Sequence, residues 1–271
     1  MLVSLGISFM GAALVSISTA YAIQTLLIRR FSLADAGIYQ AAYNLSGVLV
    51  GFVLGAMAAD YYPRLTTVAS DKKTVYRMVN EQSQIAILLA LPGLAVMMIF
   101  APLIIRFFYA ESFAKALPIL RWCTLGILGR VFSWPLGFVI LAQGKGKLFF
   151  FTEAFACGLQ LLSVLFLIRI YGLDGAGIAF FVLYVFHTCL MLFVVRRLVG
   201  ATWTRNSFSL VLFSSIVMAI LMLSCSLRID PVISWGINLT LLSVVTWICL
   251  RQLVRSSDVN MKALFSRFKK K

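Results

Sequence analysis

The chain has 271 residues, 62% of them hydrophobic and only 12% charged, with a mean hydropathy of +0.98. A soluble domain with a wetted surface does not carry that composition. The net charge of +15 would suit nucleic acid if the basic residues clustered on one face, but they sit between long apolar runs.

Eight apolar stretches, at about residues 2–28, 37–62, 83–105, 117–142, 148–170, 174–195, 208–227 and 232–250, each reach the ~20 residues that a helix needs to cross the hydrocarbon core. The predicted fold class is therefore an all-α polytopic membrane protein with about eight transmembrane helices. Short connections make sequential helices antiparallel neighbours, which predicts a six-helix bundle over 1–197, a helix hairpin over 198–250 and a basic tail over 251–271. The first stretch is too long and lacks the basic flank of a cleaved signal, so it is expected to stay in the membrane.

The second span opens at LADAGIYQA, where Ser32 followed by Asp35 resembles a capping box. LDGAGIAFF, ahead of the sixth span, echoes it with Asp174. In both, an acid at a helix start satisfies free N–H groups and the positive dipole end. Farther along the second span Gly47, Gly51 and Gly55 recur every four residues and Ala59 continues the row, a bare strip that lets another helix approach closely. Tyr39 and Tyr43 lie on the same rows and either face a cavity or belong to the aromatic belt. Asp60 ends the span, as an interfacial pair with Arg64 or as a gating and coupling contact. The connection at 63–82 is the longest and is expected to form a short surface helix.

Ionisable groups inside a membrane helix are costly and face protein or a water-filled path, so they are the best pointers to function. Arg130 lies near the middle of the fourth span, too deep to reach an interface by stretching, and Pro135 beyond it removes a backbone hydrogen bond. Its planar fork of five donors suits phosphate or carboxylate. The open alternatives are an anion-facing cavity, an internal ion pair with Glu153, or a tie to carbonyls. Glu153, Cys157 and Gln160 share one stripe of the fifth span, and Glu153 reads as an interfacial cap or as part of a proton-coupling path. In the sixth span Tyr184, His187 and Thr188 form a polar patch. His187 is the single histidine, which excludes a multi-histidine metal site and leaves a hydrogen-bonded core residue or a proton shuttle.

The five cysteines all fall within spans without ligand spacing, so they read as packing residues. No metal and no cofactor is expected. A Gly-rich phosphate loop, a nucleophile paired with a base and an external carboxylate pair are all missing, so neither an enzyme nor an ATP-driven pump is expected. The tail MKALFSRFKKK, with Leu264, Phe265 and Phe268 among basic residues, suits either an amphipathic segment on anionic lipid or a solvated end.

The segments after the second, fourth, sixth and eighth spans hold 16 of the 24 basic residues, among them Lys72, Lys73, Lys145, Arg196, Arg205 and Lys271. The alternate segments hold seven, including Arg29, Arg106, Arg169 and Arg228. Because Lys and Arg stay on the cytoplasmic side, both termini are expected inside, and the basicity is topology rather than a nucleic-acid footprint.

The run ADAGIYQAAYNL, the exit YYPRLTTVASDKK, the stretch LIIRFFYAESFAKALPILR, then LAQGKGK, FTEA and YGLDGAGIA together resemble the second half of bacterial O-antigen and lipid-linked polysaccharide flippases, of the multidrug/oligosaccharidyl-lipid/polysaccharide exporter superfamily. The similarity covers about residues 1–197. It implies one of two six-helix bundles around a central cavity, with two further C-terminal helices. It also implies transport of undecaprenyl-diphosphate-linked oligosaccharide across the inner membrane by alternating access. Arg130, Tyr39 and Tyr43 are then the cavity candidates for substrate, and Glu153, His187 and Asp60 the coupling candidates. Partners would be the lipid-linked oligosaccharide, membrane lipids and a separately encoded first-half bundle, with no nucleic acid. The other readings are a cation-coupled drug exporter of the same superfamily, a non-transporting membrane scaffold, or a truncated remnant in a polysaccharide gene set.

Single cysteines at Lys72, Lys145 and Arg205 in a cysteine-free background should be shielded from an impermeant thiol reagent in intact cells, whereas those at Ala34 and Asp174 should react. External labelling at 72 or 205 would overturn the orientation.

Overall fold

In a computed structural model, residues 2–200, 202–227 and 231–268 are described, with side chains placed for 6–200, 202–227 and 232–255. Arg228 and the side chains of the tail residues Leu264, Phe265 and Phe268 lie outside these. The described residues form eight α-helices: α1 (Leu2–Arg30), α2 (Leu33–Thr67), α3 (Lys72–Phe108), α4 (Ala116–Ala142), α5 (Gly146–Tyr171), α6 (Asp174–Val199), α7 (Arg205–Ser226) and α8 (Pro231–Phe268). A 3₁₀ turn at Glu111–Lys115 precedes α4. All eight are long and apolar enough to cross a membrane.

Local chemistry sets the helix ends. Ser32 Oγ accepts from the Asp35 N–H at 3.0 Å and donates to Asp35 Oδ2 at 2.7 Å, the reciprocal pair that starts α2. Asp174 opens α6 without a side-chain cap bond. Gly172, at φ +59, turns the chain from α5 into α6 in two residues, a backbone conformation that only glycine adopts without strain.

The surface helix expected at 63–82 does not form, because α2 and α3 absorb that stretch and leave only residues 68–71 between them. At 35 and 37 residues and ~1.5 Å per residue, both helices outrun a ~30 Å hydrocarbon core. Their polar ends project from the same side, where Asp71 accepts from the Lys73 N–H and from Thr74 Oγ1. The hydrogen bond from Thr74 holds the Asp71 carboxyl below its ordinary range.

Among the first six helices the strongest contacts are not the sequential ones. α4 is the hub, packed most heavily on α6, then on α2 and α3, while α1 lies along α5. In α4, 61% of the apolar window is buried inside the protein, against 11% in α1. The C-terminal pair α7 and α8 is appended through α3, on which each docks more extensively than on the other.

The glycine row of α2 departs from its expected use. Gly47 faces Ile127 at an ordinary distance, whereas Gly51 and Gly55 are exposed and a Cβ at either would touch nothing within 4 Å. The close approach occurs at α4 and α6 instead. A Cβ on Gly126 would run into the Phe180 ring, one on Gly129 would lie 2.8 Å from Tyr184 Cβ, and one on Gly177 would lie 3.1 Å from the Ile119 carbonyl oxygen. Packing, not hydrophobicity, holds helices together in lipid, so this seam is the main joint of the bundle.

Gly126→Val should overpack that seam by about 1–3 kcal/mol and visibly lower the unfolding midpoint in mild detergent. Gly51→Val should leave it unchanged. Equal effects at the two positions would contradict the placement of the joint.

Candidate functional site

A cavity of about 240 Å³ opens inside the bundle between α1, α2, α4, α5 and α6. Each helix offers one face to it at helical spacing: Ser16, Ala20 and Ile23 from α1; Tyr39, Gln40 and Tyr43 from α2; Arg130 from α4; Glu153, Cys157 and Gln160 from α5; Phe180, Tyr184 and His187 from α6. Five of the six residues singled out by sequence thus meet in one place. Asp60 does not, and it sits exposed in an ion pair of 2.7 Å with Arg64 on the same helix.

Arg130 follows Gly129 on the α4 face that is pressed against α6, yet its side chain is exposed, because the cavity is the open direction left to it. Its electrostatic neighbours are Tyr184, Tyr43 and Glu153. Among the described residues no carboxylate lies within 4 Å of the guanidinium and no group hydrogen-bonds to it. Glu153 is engaged elsewhere, with Oε1 3.4 Å from His187 Nε2. The contact is at ion-pair distance without hydrogen-bond alignment, so both ring nitrogens of His187 are buried and without a hydrogen-bond partner. The internal Arg130–Glu153 pair considered from sequence is not what the fold assembles.

A chain of rings lines the cavity. Tyr39 stacks on Tyr43 at 6.1 Å, Tyr43 meets Phe180 edge-on at 5.2 Å, Phe180 meets Tyr184 at 5.0 Å, and Tyr184 meets His187 at 5.9 Å. Tyr39, 5% exposed, contributes to the cavity lining. Thr188, expected in the polar patch, instead donates to the carbonyls of Tyr184 and Gly129 and helps to clamp α6 to α4. Sequence reasoning passed over Ser16, Gln40 and Phe180. Their signal was the i+7, i+3 and i+4 spacing to Ile23, Tyr43 and Tyr184 respectively, which marks a shared face but not what the face meets.

No cluster of three or more histidine, cysteine or acidic side chains able to hold a metal occurs among the described residues. The described cysteines are free thiols. Cys123, Cys157 and Cys249 are buried as expected of packing residues, whereas Cys189 is exposed. The arrangement can do electrostatics and stacking: a planar cation without a counter-ion, an acid–imidazole pair across the space, and aromatic faces between them.

Eight spans packed around an inward-facing cation define an all-α polytopic membrane protein. A family profile described as "Polysaccharide biosynthesis protein" matches residues 1–118, less than half of the chain. No curated protein matches at a significant level. Among solved structures, "Lipid II flippase MurJ, inward closed conformation" superposes with a TM-score of 0.65 at 16% identity, over 90% of this chain and 53% of that one. The likeness is one of fold, and this chain spans about half the length of the flippase.

Ser16 Oγ lies 3.7 Å from Cys157 Sγ across the α1–α5 wall of the cavity. With the other four cysteines replaced by alanine, Ser16→Cys should form a disulfide with Cys157 under mild oxidant, read as a reducible shift in gel mobility. A matched Gly6→Cys control should not. Absence of the cross-link would remove α1 from the cavity wall.

Proposed function

We propose that the chain is one bundle of a flippase that carries undecaprenyl-diphosphate-linked oligosaccharide, an O-antigen or related precursor, across the bacterial inner membrane by alternating access, with both termini cytoplasmic. The observation that carries this reading is Arg130, a guanidinium with no internal counter-ion held inside a cavity of a membrane-embedded bundle. A charge at the centre of a membrane helix costs about 2.5–3.5 kcal/mol on insertion-derived scales. A bound anion offsets that cost, and a diphosphate presents oxygens that match the planar fork.

The cavity is smaller than the ~300–1,000 Å³ usual for a whole ligand. It suits the charged group of a large substrate, with the ring faces of Tyr43 and Phe180 beside the first sugar. Glu153 and His187 serve as the coupling pair: when a proton reaches the imidazole the two attract, and when it leaves, the carboxylate is free to turn towards Arg130 and compete with the substrate. Asp60, on the surface with Arg64, has no part in this exchange. A drug exporter for cations has less support, because the cavity's carboxylate is engaged while its cation is not.

A second bundle is expected to face Arg130 and the exposed Gly51–Gly55 side of α2, since a cavity with a cation in its wall is not left open to hydrocarbon. Arg130→Ala should cut complementation of a flippase-deficient strain by at least about tenfold at normal membrane abundance, and Arg130→Lys should keep part of it. Co-expression with a first-half bundle should be required for activity. An active and abundant Arg130→Met protein, or activity from this chain alone, would sink the reading.

A further inference from the structure

On the opposite flank of the bundle, α3, α7 and α8 enclose a groove of about 780 Å³, about three times the volume of the Arg130 cavity. Its lining is divided lengthwise. One end carries Glu81, Gln84, Asn206, Ser209, Gln252 and Arg255, and the other Ile85, Leu88, Leu210, Phe213 and Ile248.

The division follows depth in the membrane. Asn206 is the second residue of α7, and Arg251, Gln252 and Arg255 are the first polar cluster after the apolar run 239–250 of α8. The polar end therefore lies at headgroup level. Leu88 is seven residues beyond Glu81, about 10 Å deeper along α3. Phe213 and Ile248 are each seven residues farther into their helices from Asn206 and Arg255. The groove thus runs from the interface into the hydrocarbon of one leaflet, as a phospholipid does.

The polar end has both signs of charge and unspent bonding capacity. Asn206, Gln252 and Arg255 have no hydrogen-bond or ion-pair partner among the described residues. Glu81 pairs loosely with Arg77, whose Nε is 3.8 Å from Oε1, leaving Oε2 open. Gln84 donates its Nε2 to Ser207 Oγ at 3.0 Å, which leaves its carbonyl oxygen as an acceptor. That bond belongs to a buried knot in which Asn80 Oδ1 accepts from the Thr204 N–H and from Ser207 Oγ, both at 2.7 Å, and Asn80 Nδ2 donates to the Thr202 carbonyl at 2.9 Å. The knot pins the start of α7 to α3 and fixes one wall of the groove.

We infer that this groove is a binding site for a phospholipid with a primary-amine headgroup, phosphatidylethanolamine. The ammonium, with three donors, lies between the Glu81 carboxylate and the Gln84 carbonyl oxygen. The phosphodiester accepts from Arg255 and from the amides of Gln252 and Asn206, and one acyl chain packs along Leu88, Phe213 and Ile248. Acceptors at one edge and donors at the other match a zwitterion better than a purely anionic headgroup, which Glu81 repels. The bound lipid would bridge α7 and α8, which touch one another only slightly.

The test is native mass spectrometry of the full chain purified in mild detergent from membranes rich in both phosphatidylethanolamine and phosphatidylglycerol. The wild type should retain one phosphatidylethanolamine per chain. Arg255→Gln should lower that retention about tenfold, the size of one lost charge-assisted hydrogen bond. Ile248→Trp, which fills the apolar end, should abolish it. Glu81→Lys should reverse the preference to phosphatidylglycerol, a gain that a misfolded protein cannot produce. Equal retention of the two lipids by the wild type, retention indifferent to Arg255→Gln and Ile248→Trp, or one-for-one displacement by undecaprenyl phosphate would overturn the assignment. None of these outcomes depends on the Arg130 cavity, so the two proposals stand or fall separately.

Discussion

The contact of α4 with α6 organises the rest of the molecule. Gly126 and Gly129 admit the Phe180 ring and the Tyr184 backbone so closely that no side chain fits between them, and Gly177 receives the α4 backbone in return. In a bilayer, where lipid tails are as apolar as leucine, close packing and interhelical hydrogen bonds distinguish one helix partner from another. With one side of α4 taken by α6 and others by α2 and α3, Arg130 has a single direction left. The cavity is where the bundle fails to close around that side chain.

That geometry separates charges which would otherwise cancel. Glu153 on α5 is turned to His187 on α6, and among the described residues no carboxylate lies within ion-pair distance of Arg130 on α4. Burying an unpaired cation is unfavourable, while a paired one would offer nothing to an incoming anion. The carboxylate lies on a different helix from the cation and is held at 3.4 Å by the His187 ring.

The outer helices follow a different rule. α1, α5 and α8 bury the smallest shares of their apolar lengths inside the described bundle. α7 and α8 attach through α3, where the polar knot around Asn80 supplies the specificity that apolar contact lacks. A hydrogen bond between helices inside a membrane is individually modest, but it fixes register where shape alone does not. The groove beside the knot is open because two helices docked on a third leave a valley between them.

Much of this was legible in the chain. Eight spans, the capping pair at Ser32 and Asp35, the retained cation at mid-span and the stripes on the fifth and sixth helices all follow from properties that a residue carries locally: hydropathy over about 20 positions, a side chain that reaches its own backbone, the cost of charge in hydrocarbon. What the sequence did not disclose is who faces whom. The glycines of α2 and those of α4 look alike as spacing, yet those of α4 form the joint while Gly51 and Gly55 meet nothing. Nor did spacing tell that Glu153 would choose His187 over Arg130, or that Asp60 would stay outside the cavity. Periodicity names the residues that share a face, and only the packing of all the helices at once decides what that face meets.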